Sequence, residues 1–146
     1  MRIVEINRKT NETDISLKLN LDGKGISSIY TEIPFLDHML NSFCKHGNFD
    51  MDLSIKGDIE VDFHHAIEDA GIVLGDAFNR AIGDKKGITR FADATIPLDE
   101  ALVRTAVDIS GRPFLSFEIE FPRGDDGSNI NPYLFEEFFR AFVNSS

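Results

Sequence analysis

The sequence predicts an α+β fold, a mostly antiparallel sheet with helices gathered on one of its faces. Apolar residues alternate with polar ones at Ile15, Leu17, Leu19 and Leu21, and again at Phe49, Met51, Leu53 and Ile55. That period of two marks strands with one buried face. Apolar residues recur at helical spacing after Pro34 and after His64, which marks amphipathic helices. The strands are separated by short turn-forming segments, so hairpin pairing is favoured over long crossovers.

The elements follow in order. Asp22-Gly23-Lys24-Gly25 is a turn, after which Ile26 to Thr31 is expected to pair back on the first strand as a hairpin. Pro34 opens a helix, a position where its missing N–H costs nothing. Phe35, Leu36, Met39, Leu40 and Phe43 form its stripe, and Gly47 is placed to cap it. Lys56-Gly57-Asp58 turns the chain into a further short strand at Ile59 and Val61. The central helix runs from about His64 to Ile82, with Ile67, Ala70, Gly71, Leu74, Ala77, Phe78 and Ala81 as its buried stripe. The small residues Ala70, Gly71 and Ala77 allow close approach to a sheet. Two strands, Ala101 to Ile109 and Phe114 to Phe121, flank Ser110-Gly111-Arg112-Pro113. A Gly-, Asp- and Asn-rich loop from Pro122 to Pro132 leads to a last helix from about Tyr133. This final strand–turn–strand–helix order repeats that of Ile15 to His46. The reading is one domain over 1–146, with a first half at about 1–95 and a second, incomplete copy at about 96–146.

With 146 residues the chain is large enough for its own core. Thirteen Phe and no Trp predict a Phe-rich interior. A formal charge of −10, from 25 acids against 15 bases, opposes the phosphate backbone of nucleic acids. An anionic small substrate needs only a few placed arginines. One cysteine, Cys44, excludes an internal disulfide and fits a reducing compartment. Neither a signal-peptide-like start nor a long apolar run is present, so a soluble cytoplasmic protein is expected.

All four histidines fall within a short stretch: His38, His46, His64 and His65. A helix turns about 100° per residue. If one begins at His64, that residue and Glu68 stand one turn apart on the same face, while His65 points elsewhere. Two adjacent imidazoles that diverge serve two metal ions more readily than one. Imidazole with carboxylate suits Zn, Mn and Fe, and added carboxylates favour harder ions such as Mn. Alternatively, each histidine is an ordinary hydrogen-bonded residue. His46, at a helix end where a cation suits the dipole, is read as structural.

Four motifs occur in order: Phe35-Leu36-Asp37-His38-Met39-Leu40, Asp62-Phe63-His64-His65-Ala66-Ile67-Glu68-Asp69, Ile96-Pro97-Leu98-Asp99-Glu100-Ala101-Leu102 and Asp108-Ile109-Ser110-Gly111-Arg112-Pro113. Together they strongly resemble imidazoleglycerol-phosphate dehydratase, an enzyme of histidine biosynthesis. The similarity runs from about Arg8 to the end of the chain. It implies a duplicated α+β half, a large homo-oligomer with active sites between subunits, and two Mn ions in each site. By motif match, His38, His64, His65 and Glu68 are metal ligands. Glu12 is a carboxylate near the substrate, and Arg90 and Arg112 hold the substrate phosphate. Read without the resemblance, Glu12 is an exposed loop acid, Arg90 a solvated strand-edge charge and Arg112 part of a turn. Asp37, Asp69 and Glu100 either orient ligands from behind or serve structure, and Asp99 is similarly open. Two departures stand out. Asn41-Ser42 follows the first motif where the family often carries an amide that contacts substrate. The family also continues with a further histidine, a second His-His-x-x-Glu motif and a phosphate-binding Lys, so this chain is expected to be incomplete.

The implied reaction removes water from imidazole glycerol phosphate and gives the acetol phosphate. The carbon-bound proton is weakly acidic and hydroxide is a poor leaving group. A metal on a ring nitrogen stabilises imidazolate, whose electron density expels the neighbouring hydroxyl to give a diazafulvene-like species. Loss of the adjacent proton yields an enol, which becomes the ketone. Glu12 and Glu68 are the carboxylates expected to take part. The alternatives are an inactive fragment that binds metal weakly or serves only in self-association, and a generic metallohydrolase. The latter leaves three of the four motifs unexplained.

Overall fold

The structure, a computed structural model, describes residues 1–121 and 130–146. Most of the loop expected from Pro122 to Pro132 therefore lies outside the described residues. The fold is α+β, with a four-stranded sheet, a separate two-stranded hairpin and three helices among the described residues.

The sheet is built from β1 (Ile3–Lys9), β2 (Thr13–Asn20), β3 (Ser27–Tyr30) and β4 (Asp50–Gly57), in the order β1-β2-β4-β3. The first strand, β1, was not expected from the sequence; only Ile6 of it is buried, so its alternation is faint. β1 and β2 pair antiparallel from Ile3 opposite Asn20 to Lys9 opposite Asp14. β2 and β4 pair antiparallel from Thr13 opposite Gly57 to Asn20 opposite Asp50. Ile15, Leu17, Leu19, Met51, Leu53 and Ile55 project from one side and are at most 2% exposed.

β3 does not fold back on β2 as a hairpin. It pairs in parallel with β4, Ser27 opposite Met51. The Asp50 carboxylate accepts the N–H groups of Lys24 and Ile26 at 2.8 and 2.9 Å, which pins the turn to the start of β4 rather than to β2. Those two N–H groups also hold the Asp50 carboxyl below its usual pKa.

Helix α1 (Pro34–Gly47) is the crossover between these parallel strands. It starts at Pro34, and the Asp37 carboxylate accepts the N–H and the hydroxyl of buried Thr31 at 2.8 and 2.7 Å. Its cap is Asn48, at φ 56°, rather than Gly47. Glycine stands at 47 for another reason: a Cβ there would lie 2.4 Å from the Phe49 ring.

Helix α2 (His64–Ile82) packs on β1, β2 and β4. Asp62 Oδ1 accepts the His64 N–H at 2.8 Å and so starts the helix. The expected strand at Ile59 and Val61 is a turn, closed by the Val61 N–H on the Asp58 carbonyl at 2.8 Å, with Val61 largely exposed. Gly71 and Gly75 face helix α3 (Tyr133–Ser145), not the sheet. A Cβ on either would come within 2.4 Å of the Phe138 or Phe142 carbonyl.

The innermost residues are Ile, Leu, Val, Ala and Met rather than Phe. Phe43, Phe49, Phe78 and Phe142 are linked by ring distances of 5.1 to 5.4 Å and fill the seams between helices and sheet. A flat ring suits a seam that aliphatic branches leave open.

The remaining strands are β5 (Phe91–Leu98), which the sequence did not reveal, and β6 (Ala101–Asp108). They form an antiparallel hairpin turned at Asp99-Glu100, with Asp99 at φ 50°. The boundary expected at about 95 thus falls inside β5. Phe114 to Phe121 is not a strand, because no strand among the described residues pairs with it. Its Phe117 and Phe121 rings lie instead against Phe139, Tyr133 and Phe135 on α3 or just at its start.

Candidate functional site

The start of α2 places the adjacent histidines. His64 Nε2 lies 3.5 Å from Glu68 Oε2 one turn on, and both side chains are about 40% exposed. The His65 ring stands at 76° to that of His64, with centroids 5.7 Å apart. Its Nδ1 meets the Asp58 carboxylate at 3.0 and 3.2 Å. The two rings meet edge to face, each with its own carboxylate. Because Asp58 takes Nδ1, the outward nitrogen of His65 is Nε2, the one left for a ligand. The Asp58 hydrogen bond raises the His65 pKa, with smaller contributions from the charges of Asp58, Glu12 and Asp62.

Glu12 sits at the turn between β1 and β2, exposed, beside the end of β4. Its carbonyl accepts the Asp58 N–H at 3.1 Å, so the backbone carrying Glu12 is tied to the residue that holds His65. Gly57, next to Asp58, donates its N–H to Glu32 Oε2 at 3.0 Å. Glu32 has φ 63°, an uncommon conformation for a side-chain-bearing residue. Its carboxylate joins the entry of α1 to the end of β4.

His38 is exposed on the first turns of α1. Among the described residues, no three His, Cys, Asp or Glu side chains come together in a way that could hold a metal ion. His64 with Glu68, His65 and His38 are thus separate donors on one chain. His46 is exposed in the last turn of α1. Asn41 bridges Ser27 Oγ and the Asp37 carbonyl, both at 2.7 Å, so it joins α1 to β3. Asp37 holds Thr31, and Asp99-Glu100 form the hairpin turn.

The arginines occupy the other region. Arg90, at the base of the hairpin, meets Asp108 through Nε and Nη2 at 2.7 and 3.2 Å and stacks over the Phe91 ring at 4.8 Å. The pairing raises the Arg90 pKa and lowers that of Asp108, and the charge of Arg112 lowers Asp108 further. Asp108 thus anchors Arg90 directly, while Arg112, held in the following turn by its N–H on Ser110 Oγ at 3.2 Å, acts on it only through its charge. Asp58 and Asp108, the residues that orient His65 and Arg90, were missed as site residues. Asp58 sits in a turn motif, and Asp108 was visible only as the first letter of a longer motif.

No helix among the described residues is long and apolar enough to cross a membrane. Residues 31–146 match the family model of imidazoleglycerol-phosphate dehydratase. The chain is 54% identical over 145 residues to the imidazoleglycerol-phosphate dehydratase of Gluconacetobacter diazotrophicus, covering 99% of this chain and 73% of that protein. The enzyme of Trichlorobacter lovleyi is 52% identical over 144 residues, with 99% and 73% covered. The crystal structure of the Staphylococcus aureus dehydratase superposes with a TM-score of 0.85 at 37% identity, over 98% of this chain and 78% of that one. That of Pyrococcus furiosus gives 0.80 at 32% identity, over 96% and 73%. By sequence and by fold, this chain belongs to the imidazoleglycerol-phosphate dehydratase family.

Proposed function

We propose that this chain performs its family's dehydration of imidazole glycerol phosphate in histidine biosynthesis, in the cytoplasm, using Mn. The observation that supports this most directly is the pair His64 and His65 at the start of α2, each beside its own carboxylate. The donor chemistry fits Mn, for which mixed imidazole and carboxylate ligands are suitable. His64 with Glu68 would serve one ion and His65, backed by Asp58, the other, with His38 contributing from α1. Since these donors do not converge within one chain, we propose sites completed between copies in a homo-oligomer. A bound Mn would polarise the substrate's imidazole ring and ease loss of its proton.

The chain's own residues account for the rest. Arg90 and Arg112 carry two positive charges about Asp108 and would clamp the substrate phosphate, with Asp108 keeping the Arg90 fork in one orientation. Glu12, exposed beside His65, is placed to move a proton to or from the substrate's carbon chain. The Asp58 carboxylate fixes which His65 nitrogen faces outward. The division into two related halves belongs to the same proposal.

Elemental analysis of Mn retained after dialysis, with a dehydration assay, tests this reading. The chain should retain Mn and turn over substrate, and Glu68→Gln should lower both by about tenfold or more. Unchanged Mn content and turnover in Glu68→Gln would remove it from the ligand set.

A further inference from the structure

Asp69 closes the dehydratase motif on α2 and is buried, where His64 and His65 are partly exposed. It is one of three buried polar or charged side chains among the described residues, at 8% exposure. Its Oδ2 accepts the hydroxyl of Thr13, itself 3% exposed, and lies 2.5 Å from Arg8 Nη1. Arg8 Nη1 is fully buried and makes no hydrogen bond; the Asp69 contact is an ion pair, close in distance but off the hydrogen-bond direction.

An ionised carboxylate only accepts, so the Thr13 proton is committed to Asp69. The Thr13 oxygen must then accept from Thr10, whose hydroxyl lies 3.2 Å away. Thr10 Oγ1 in turn accepts the N–H groups of Glu12 and Thr13 at 3.1 and 2.9 Å. The Thr10 N–H closes the turn on the Thr13 carbonyl at 2.8 Å. One buried carboxylate thereby sets the direction of both hydroxyl hydrogen bonds in the turn that carries Glu12, leaving Thr10 Oγ1 free to accept the two N–H groups. His65 and Asp69 are one helical turn apart, and the Glu12 carbonyl is bound through Asp58 to His65. The loop is held at both ends to the same stretch of α2.

We propose that Asp69 is a positioning residue that, through Thr13 and Thr10, locks the Glu12 turn against the helix carrying His64, His65 and Glu68. This rests on the role given above to Glu12. The lock makes the distance between a proton-moving carboxylate and the adjacent histidines a property of the core rather than of a free loop.

Replacing Asp69 would strip the half-buried Arg8 of its ion-pair partner and so disturb the fold for unrelated reasons. The test therefore uses Thr13→Val, which keeps the shape and removes the hydroxyl, beside Thr13→Ser, which keeps the hydroxyl. Amide hydrogen exchange at Glu12 and the kinetics of dehydration are measured on the full chain. Thr13→Val should speed exchange of the Glu12 amide and lower kcat, each about tenfold, with KM changed less than about twofold. Thr13→Ser should restore both to within about threefold. Unchanged exchange and kcat in Thr13→Val overturns the lock. Equal damage in the two variants also overturns it, since packing would then be the cause. A wild-type chain without dehydratase activity counts against the proposed function alone, and exchange at Glu12 still decides the lock.

Discussion

The four-stranded sheet and the β5–β6 hairpin are built from similar residues and end in opposite circumstances. In β2 every second residue from Thr13 to Leu19 is buried, while in β5 and β6 no residue is. Ile96, Leu98, Leu102 and Val103 are all more than half exposed. The difference lies in what covers the strands. β2 and β4 lie under α2, whereas the hairpin has no helix packed upon it among the described residues. Alternation makes a strand, and a covering element makes a core.

The largest test of that contrast compares the same type of truncation in the two regions. Leu53→Ala in β4 should cost about 2–5 kcal/mol, since Leu53 is 1% exposed and its neighbours close only partly on the gap. Val103→Ala in β6 should cost within about 0.5 kcal/mol. Urea titrations of both measure the pair, and equal losses would erase the distinction drawn here.

A second prediction concerns the α2–α3 seam, on the side of the four-stranded sheet. Gly75→Ala improves helix propensity by about 1 kcal/mol but drives a methyl against the Phe142 carbonyl. The overlap should win by about 1–3 kcal/mol and show as faster proteolysis of α3 while the sheet stays protected. A stabilised variant would mean the helices can separate freely.

The smallest effect is electrostatic. Burial pushes the Cys44 thiol up to about 11, above its usual 9. The unfolded chain therefore loses this proton first as pH rises. Stability is unaffected below about pH 9 and falls between there and about pH 11, by a few kcal/mol at most. A thiol reagent at pH 8 should leave folded Cys44 untouched. Rapid modification without unfolding would contradict its burial.

Much of the first region was legible in the sequence because its signals are local. The α1 start at Pro34, the α2 span and the alternation of β2 and β4 follow from patterns a few residues long. The strand order was not legible. Asp22-Gly23-Lys24-Gly25 is good hairpin chemistry, and only the contact of Asp50 with Lys24 and Ile26, distant in sequence, sends β3 to β4. Gly71 was correctly read as a close-packing position but assigned to the sheet, since one sequence stripe cannot say which neighbour it meets, and Gly75, which also faces α3, was not read at all. In the candidate site, the pairing of His64 with Glu68 one turn on followed from helix geometry. The partners that orient the site, Asp58 on His65 and Asp108 on Arg90, depend on tertiary proximity and carry no pattern of their own.

The sheet order also bears on how the molecule reaches this state. β1 and β2 close through the four residues Thr10 to Thr13, a step that loses little chain entropy, so this hairpin and the two helices can form early. The β2–β4 ladder instead joins Asn20 to Asp50 and Thr13 to Gly57, with β3 and all of α1 in the intervening loop. That closure spans the longer loop and loses more chain entropy than the β1–β2 turn. Because the Glu12 carbonyl is tied to Asp58, just past β4, the turn that carries Glu12 rests against the histidines only where this central ladder beneath α2 is closed.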